Sequence, residues 1–398
     1  MAEKSACGDF PENFVWGAAS CPACCEGETV SDWARLSAPD GSVPDDGPRH
    51  WRRYRYDFRA MADMGLNAYR FGCDWGRLQR APYAPFNRDD TFRYMEMLAE
   101  LRSVGIEPWL VLFQNALPRW ASTKGGWLNP ETPHWFEDFS RRLADVTDGE
   151  VVHWITVHEP QVYALSCYAW GTFPGGCWGR LDQVRRALVN LRLGHRLAAA
   201  ALRRRLPGVR AGISLPGGCL HPRRAWHPGD RLAAAGADWL LNRYGTGDFL
   251  NGRYGCDFIM LGAGGPLGVG VSDALSLSSA VSPHLPGRLR HTKAEREAPV
   301  RLRRSLAQWL RKRKPVYLTG GAENIDALKN ILHACAPNGG SPAPAGFFYD
   351  PLLDQFDLEK GLAAKRGLLK VDFHSPDRRR DMRSLARDFA KVVRSRKL

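Results

Sequence analysis

Short apolar stretches that alternate with amphipathic stretches constrain the fold of this chain more than any other feature. Strands that are buried on both faces have nearly continuous apolar sequences, and their alternation with helices is typical of a parallel sheet. The sequence predicts strands at residues 14–20, 66–71, 108–113, 151–157, 209–215, 256–261, 315–319 and 347–349. It predicts helices at residues 51–64, 90–103, 132–146, 181–205, 232–244, 300–311, 325–335 and 381–394.

The fourth predicted strand ends in two ionisable residues, His158 and Glu159, and Pro160 stops it. A carboxylate at the end of a buried strand is poorly solvated, so its pKa rises, as a general acid at neutral pH requires. Glu159 is therefore a candidate catalytic acid. A solvated loop glutamate after a core strand is the alternative, because position at a strand end is a weak indicator.

Residues 154–160 resemble the acid/base motif of glycoside hydrolase family 1, the β-glucosidase family, in which a Glu-Pro pair follows a short strand. Other motifs of the family are resembled in the same order, at residues 14–20, 65–71, 117–120 and 346–373. The resemblance implies one domain over residues 1–398, a single (β/α)8 TIM barrel with its site at the C-terminal ends of the strands. It also implies hydrolysis of O-glycosyl compounds by two carboxylates, an acid/base and a nucleophile.

The nucleophile of that family is missing from its usual place. The family motif Tyr-Ile-Thr-Glu-Asn-Gly corresponds here to Tyr317-Leu318-Thr319-Gly320, so a glycine stands where the attacking glutamate is expected. Glu323 follows three residues later, and a tight loop would be needed to return it to the site. Alternatively, Glu323 opens the next helix, where a carboxylate suits the helix dipole.

Positions that hold sugar in the family are also altered. Cys24 replaces a glutamine, Gln114 replaces a histidine, His158 replaces an asparagine and Asp357 replaces a glutamate. A tyrosine expected near Gly264 is absent, and both tryptophans of the closing motif are lost. The resemblance therefore implies a barrel that has kept its backbone shape but has lost many of the side chains that bind a sugar in the family.

Arg70 is retained, although in the family it orients the missing nucleophile. A buried unpaired arginine is costly, so Arg70 is expected to pair with another carboxylate, for which Asp350 is the candidate, or with an anionic ligand. Trp120 and Trp127, near the third-strand loop, are candidates for touching a ligand.

Three functions stay open at this point, and so does the question of whether the chain is an enzyme. The first is a pseudo-glycosidase that keeps Glu159 and binds a small glycoside or an anionic metabolite. The second is an active glycosyl hydrolase or transglycosidase that pairs Glu159 with a relocated carboxylate, Glu323 or Asp350. The third is a repurposed site for metal or thiol chemistry, built from Cys21, Cys24, Cys25 and His158.

Charge, hydropathy and cysteine content limit the binding partners and the cellular compartment that the sequence predicts. The formal net charge is +14, with basic runs at residues 288–314 and 378–397. We expect no nucleic-acid binding, because no aromatic platform or groove-reading motif accompanies that charge. No apolar run is long enough to cross a membrane, residues 1–7 lack the apolar segment of a signal peptide, and ten cysteines are widely spread. These features predict a cytoplasmic protein with no membrane partner, no cofactor and no disulfide framework.

Overall fold

Eight parallel strands close into a barrel in the order β1-β10-β9-β7-β5-β4-β3-β2. The computed structural model describes residues 9–251, 255–263, 267–270, 298–337 and 342–398. The barrel strands are β1 (Val15–Ala19), β2 (Ala68–Gly72), β3 (Glu107–Phe113), β4 (His153–His158), β5 (Arg210–Leu215), β7 (Ile259–Gly262), β9 (Val316–Gly320) and β10 (Gly346–Tyr349). The predicted (β/α)8 barrel is confirmed, and each predicted strand overlaps one of these eight.

Long helices cover the outside of the barrel. They are α2 (His50–Met64), α4 (Arg88–Ser103), α6 (Thr132–Thr147), α8 (Leu181–Arg205), α9 (Pro228–Asp238), α11 (Ala298–Leu310), α12 (Ile325–Cys335) and α13 (Ser384–Ser395). Shorter helices are α1 (Pro22–Cys25), α3 (Trp75–Leu78), α5 (Arg119–Thr123), α7 (Pro160–Tyr168) and α10 (Thr246–Leu250). No helix among the described residues is long and apolar enough to cross a membrane.

Two small sheets lie outside the barrel and were not predicted. Strands β6 (Leu220–Pro222) and β8 (Leu267–Val269) pair in parallel, and β11 (Leu369–Val371) pairs antiparallel with β12 (Arg380–Met382). Strand β8 lies inside the segment 262–286 that the sequence predicts as a loop. Within that segment the structure describes residues 262, 263 and 267–270, so Gly264 lies outside the described residues. Residues 1–7 lie outside them as well.

The core has an inner and an outer layer. Trp109, Phe258, Tyr317 and Phe348 fill the barrel interior, where their rings pack edge-on or tilted with centroids 4.7–6.5 Å apart. Larger numbers of apolar side chains lie between the strands and the surrounding helices. A filled interior makes this barrel a rigid support rather than a pore, so side chains at the C-terminal strand ends are held in fixed positions.

Candidate active site

Glu159 lies at the point where β4 gives way to α7. Its backbone is left-handed, with φ 46° and ψ 61°, and its N–H donates to the carbonyl oxygen of Ser214 at 2.8 Å. The left-handed region is uncommon for residues other than glycine, and such strain often occurs at functional sites. The side chain of Glu159 is buried, so the structure places it where the motif predicts it, at the C-terminal end of the fourth barrel strand.

Burial raises the pKa of Glu159 to about 7. The Arg70 guanidinium lowers this pKa and the Asp350 carboxylate raises it, but both effects are smaller than that of burial. The cause is loss of water around the charged form. Near neutral pH Glu159 therefore holds its proton for much of the time, and it has the protonation state that a general acid needs.

Arg70 is fully buried on β2 and its charge is neutralised by Asp350. Its Nη2 donates to Oδ2 of Asp350 at 2.6 Å, and the side chain of Asp350, just after β10, is 15% exposed. The expectation that Arg70 finds another carboxylate, with Asp350 as candidate, is confirmed.

His158 links this ion pair to β5. Its Nδ1 lies 3.0 Å from Nη1 of Arg70 and 3.0 Å from the hydroxyl oxygen of Ser214. A guanidinium can only donate, so Nδ1 accepts and the imidazole proton sits on Nε2. That nitrogen lies 3.9 Å from Oε2 of Glu159. Ser214, which the sequence analysis missed, is a polar residue in an apolar strand and pairs in register with His158.

The end of β9 carries no carboxylate and leaves no space for one. A Cβ added at Gly320 would lie 2.5 Å from the carbonyl oxygen of Ala263, and one added at Gly321 would lie 2.5 Å from the carbonyl oxygen of Asp350. Real Cβ atoms do not approach backbone oxygens so closely. The backbone at the end of β7 and the backbone after β10 therefore fill the space into which side chains at these positions would extend.

Glu323 lies in the loop between β9 and α12 and is exposed. The next residue, Asn324, caps α12 by accepting a hydrogen bond from the N–H of Ala327 at 2.9 Å. Glu323 thus precedes the cap of the helix, and among the described residues no hydrogen bond or ion pair joins it to the buried group of Glu159, Arg70 and Asp350.

Gln114 and Asp357 are both fixed by the local structure. Gln114 is buried at the end of β3, and its Oε1 has no hydrogen-bond partner among the described residues. Asp357 accepts from the N–H groups of Glu359 and Lys360 at 2.9 and 3.0 Å, and its other oxygen lies 3.6 Å from Arg366. Gln114 thus keeps one buried acceptor without a partner among the described residues, whereas Asp357 stabilises its own turn.

Trp120 takes part in packing. Its indole N–H donates to the carbonyl oxygen of Gln79 at 2.8 Å, and its ring meets Trp75 and Trp135 edge-on at 5.7 and 5.4 Å. Trp127 is fully buried in the core. Full burial contradicts the prediction that Trp127 touches a ligand, whereas for Trp120, which is half-buried, ligand contact stays a prediction.

Two of the three cysteines near β1, Cys24 and Cys25, are buried thiols, and Cys21 is half-buried. Cys24 packs against Ala23 and Trp33, and a hydrogen bond with Cys21, together with burial, raises the pKa of its thiol well above the usual value. Burial does the same for Cys25. Among the described residues, no group of three or more His, Cys, Asp or Glu side chains could hold a metal ion. The geometry therefore does not support the repurposed cysteine site, because thiol chemistry needs the thiolate.

Comparisons with known proteins agree with this architecture. The sequence profile of glycosyl hydrolase family 1 matches residues 6–261, which include Glu159 but not Gly320. Beta-glucosidase A of Thermotoga maritima is 29% identical over 224 residues, 54% of this chain and 50% of that protein. Thermostable beta-glucosidase B of Thermobispora bispora is 33% identical over 280 residues, 66% of this chain and 56% of that protein. The chain thus spans about half the length of the curated relatives it matches.

Solved structures give the same fold over the whole chain. The family 1 β-glucosidase from Thermotoga maritima superposes with a TM-score of 0.83 and 23% identity, covering 99% of this chain and 100% of that one. The β-glucosidase from the same organism in complex with glucoimidazole superposes equally well, with a TM-score of 0.83. The barrel, the order of its motifs and the profile match over more than half of the sequence lead to one conclusion: this chain belongs to glycosyl hydrolase family 1.

Proposed function

We propose that this chain is a pseudo-glycosidase: a single β-glucosidase-like barrel that keeps the acid Glu159, lacks a retaining nucleophile and binds a small glycoside or an anionic metabolite. Nine described cysteines are all free thiols, which suits a reducing compartment, so we propose a cytoplasmic location. Retaining hydrolysis needs a second carboxylate about 5–5.5 Å from the acid. The proposal is that β9 does not supply it.

The observation that carries this proposal is the crowding at Gly320. The Ala263 carbonyl lies within 2.5 Å of the position a Cβ would take. A glutamate could not stand there unless the backbone after β7 moved. A missing nucleophile would therefore involve the backbone at the barrel rim as well as one side chain. This supports a change of function more than the replacement of one catalytic residue would.

The Arg70–Asp350 ion pair supports the same proposal. Without a nucleophile, a buried Arg70 would require another anion, and Asp350 supplies that charge within the protein. The barrel mouth is thus stable with no ligand bound. A ligand would meet the carboxyl group of Glu159, which can donate while it is protonated, and the Oε1 of Gln114, which accepts from a hydroxyl group.

Turnover of an activated aryl β-glucoside tests the proposal. Without added anions we expect no release of the aryl group above the spontaneous rate, because nothing attacks the anomeric carbon from the face opposite the leaving group. With azide or formate, a small anion can take the place of the nucleophile. The matched variant Glu323→Gln should behave like the parent in both conditions.

A second candidate function is hydrolysis or transglycosylation by Glu159 together with Asp350. Its support is the contrast between the two groups: Glu159 is buried and its pKa is raised to about 7, whereas Asp350 is partly exposed and lies 2.6 Å from the Arg70 guanidinium. Two carboxyl groups in such different environments form an acid–base pair. If Asp350 activates a water molecule, the product has inverted configuration, which NMR of the first-formed sugar detects. Loss of that activity in Asp350→Asn would favour this candidate over the pseudo-glycosidase.

A further inference from the structure

Helix α9 presents an apolar face to solvent. Leu232 is 76% exposed and Trp239, which directly follows the helix, is 53% exposed, while Trp226 just before the helix is 77% exposed. The exposed residues of this face recur with helical spacing, at Arg231, Leu232, Ala235, Gly236 and Trp239. Large apolar side chains clustered on a surface commonly mark an interaction site.

The opposite face of α9 anchors the helix to the small outer sheet. Ala234 and Ala237 are buried against Val269 of β8, with Leu220 of β6 packed alongside. A π-helical turn, Trp239–Arg243, continues α9, and the Trp239 ring contacts Tyr244 with centroids 4.9 Å apart. Because the inner face is packed in this way, the outer face is fixed in orientation and stays presented to solvent.

Positive charge surrounds the apolar centre. Residues 223–243 contain Arg223, Arg224, Arg231 and Arg243 against two aspartates. Both aspartates already form ion pairs: Asp230 lies 2.8 Å from Arg224, and Asp238 lies 2.9 Å from Arg243. Over residues 223–243 the formal charge is +2, from four arginines and two aspartates, and the charge of the whole chain is +14.

We propose that this surface, which we call the α9 surface and define by Trp226, Arg231, Leu232 and Trp239, docks peripherally on an anionic lipid bilayer. Tryptophan and leucine insert at the boundary between headgroups and acyl chains, and arginine extends its charge towards the phosphates. A second copy of the chain is a poorer partner, since two surfaces of +14 molecules repel each other. Single-stranded nucleic acid is also a poorer partner, because Leu232 and Ala235 lie between Trp226 and Trp239 in the sequence and offer no ring on which a base could stack.

This docking needs no helix that spans the bilayer. The expectation of no membrane partner depended on the lack of an apolar run long enough to span a membrane. A surface helix needs only one apolar face and a few basic residues to lie at the interface. The proposal is independent of the chemistry at Glu159.

Co-sedimentation of the whole protein with lipid vesicles tests the proposal. We expect binding to vesicles of equal parts phosphatidylglycerol and phosphatidylcholine, and about ten-fold weaker binding to phosphatidylcholine alone, because the arginines require anionic headgroups. The triple variant Trp226→Ala, Leu232→Ala, Trp239→Ala should lose binding about ten-fold, because the inserted apolar area is gone. Arg231→Gln should bind more weakly than the parent and respond less to salt.

Phe92→Ala is the matched control, since Phe92 is an exposed aromatic, 67% accessible, on α4 on another side of the barrel. It should bind vesicles like the parent protein. Equal binding to neutral and anionic vesicles, no binding to either, or full binding by the triple variant with unchanged circular dichroism would each overturn the proposal. Loss of a dimer in the triple variant, seen by light scattering without vesicles, would also overturn it in favour of a second copy.

Discussion

Nη2 of Arg70 lies 2.6 Å from Oδ2 of Asp350, and this ion pair joins β2 to the residue that follows β10. Asp350 thus neutralises the fully buried guanidinium of Arg70. Asp350 N–H also donates to the carbonyl oxygen of Gly320 at 3.1 Å. The residue that pairs with Arg70 is therefore hydrogen-bonded to the end of β9.

Asp350→Asn should destabilise the fold by about 3–5 kcal/mol, since it leaves the buried charge of Arg70 without a partner. Chemical denaturation at pH 7 measures the loss. Asp377→Asn is the control, because the side chain of Asp377 is 82% exposed and its ion pair with Arg53 contributes little. Equal stability of the two variants would show that Arg70 is neutralised in another way.

The stability of the protein should fall as the pH rises from about 6.5 to 8. Burial raises the pKa of Glu26 to about 8, and those of Asp32 and Glu159 to about 7, all well above their values in an unfolded chain. Acids with raised folded-state pKa values stabilise the fold fully below their unfolded pKa, and this stability is lost as the pH rises through the folded pKa. His195, whose pKa burial lowers to about 4, acts in the opposite sense and only below this window.

Glu159→Gln separates the contribution of the acid from that of the other two groups. Glutamine resembles the protonated carboxyl group and does not ionise, so the decrease in melting temperature between pH 6.5 and 8 should be smaller in this variant. Each pKa unit corresponds to about 1.4 kcal/mol. An unchanged decrease would mean that Glu159 already ionises at its ordinary pKa.

Asp350→Asn should also lower the pKa of Glu159. The Asp350 carboxylate raises that pKa, and removing it leaves the Arg70 charge free to stabilise ionised Glu159. Infrared absorption of the buried carboxyl group, followed across pH, measures the shift, and Glu159→Gln identifies the band. A rise in the pKa would contradict the arrangement of charges described here.

Gly320→Glu alone should not restore a retaining glycosidase. The Cβ would meet the Ala263 carbonyl, so we expect a loss of about 1–3 kcal/mol, as for other overpacked sites. Gly236→Ala is the control, because a Cβ there meets nothing within 4 Å in helix α9, and alanine favours the helix. A folded Gly320→Glu variant with parental stability would show that the backbone after β7 can move away from position 320 at little cost in stability.

The sequence predicted the barrel well because its signals are repeated along the chain. Continuous apolar runs such as 108–113 have the composition of buried parallel strands, and they agree with family motifs in the same order. Strand β8 was missed because its three residues lie in a Gly-rich segment without period, where pairing with β6 decides the structure. Helix α9 starts at Pro228 instead of 232, since His227 provides an N-cap that apolar periodicity does not reveal.

The sequence predicted the site residues whose position follows from a single motif or from charge balance. Glu159 and Arg70 could be placed from their motifs, and charge balance indicated Asp350. The role of Ser214 depends on its register with His158 across two strands, which no local pattern specifies. The prediction for Trp127 was wrong because its burial against Phe136 is a property of the tertiary structure.

The hydrolysis of 2,4-dinitrophenyl β-glucoside, followed by NMR of the first product, tests the central claim most directly. If no carboxylate from β9 faces Glu159, no retained β-glucose forms without an added anion, and any product formed with azide is the α-glucosyl azide of a single inverting displacement. Azide-independent release of β-glucose with retained configuration would contradict the claim, and its loss in Glu323→Gln would identify Glu323 as the nucleophile.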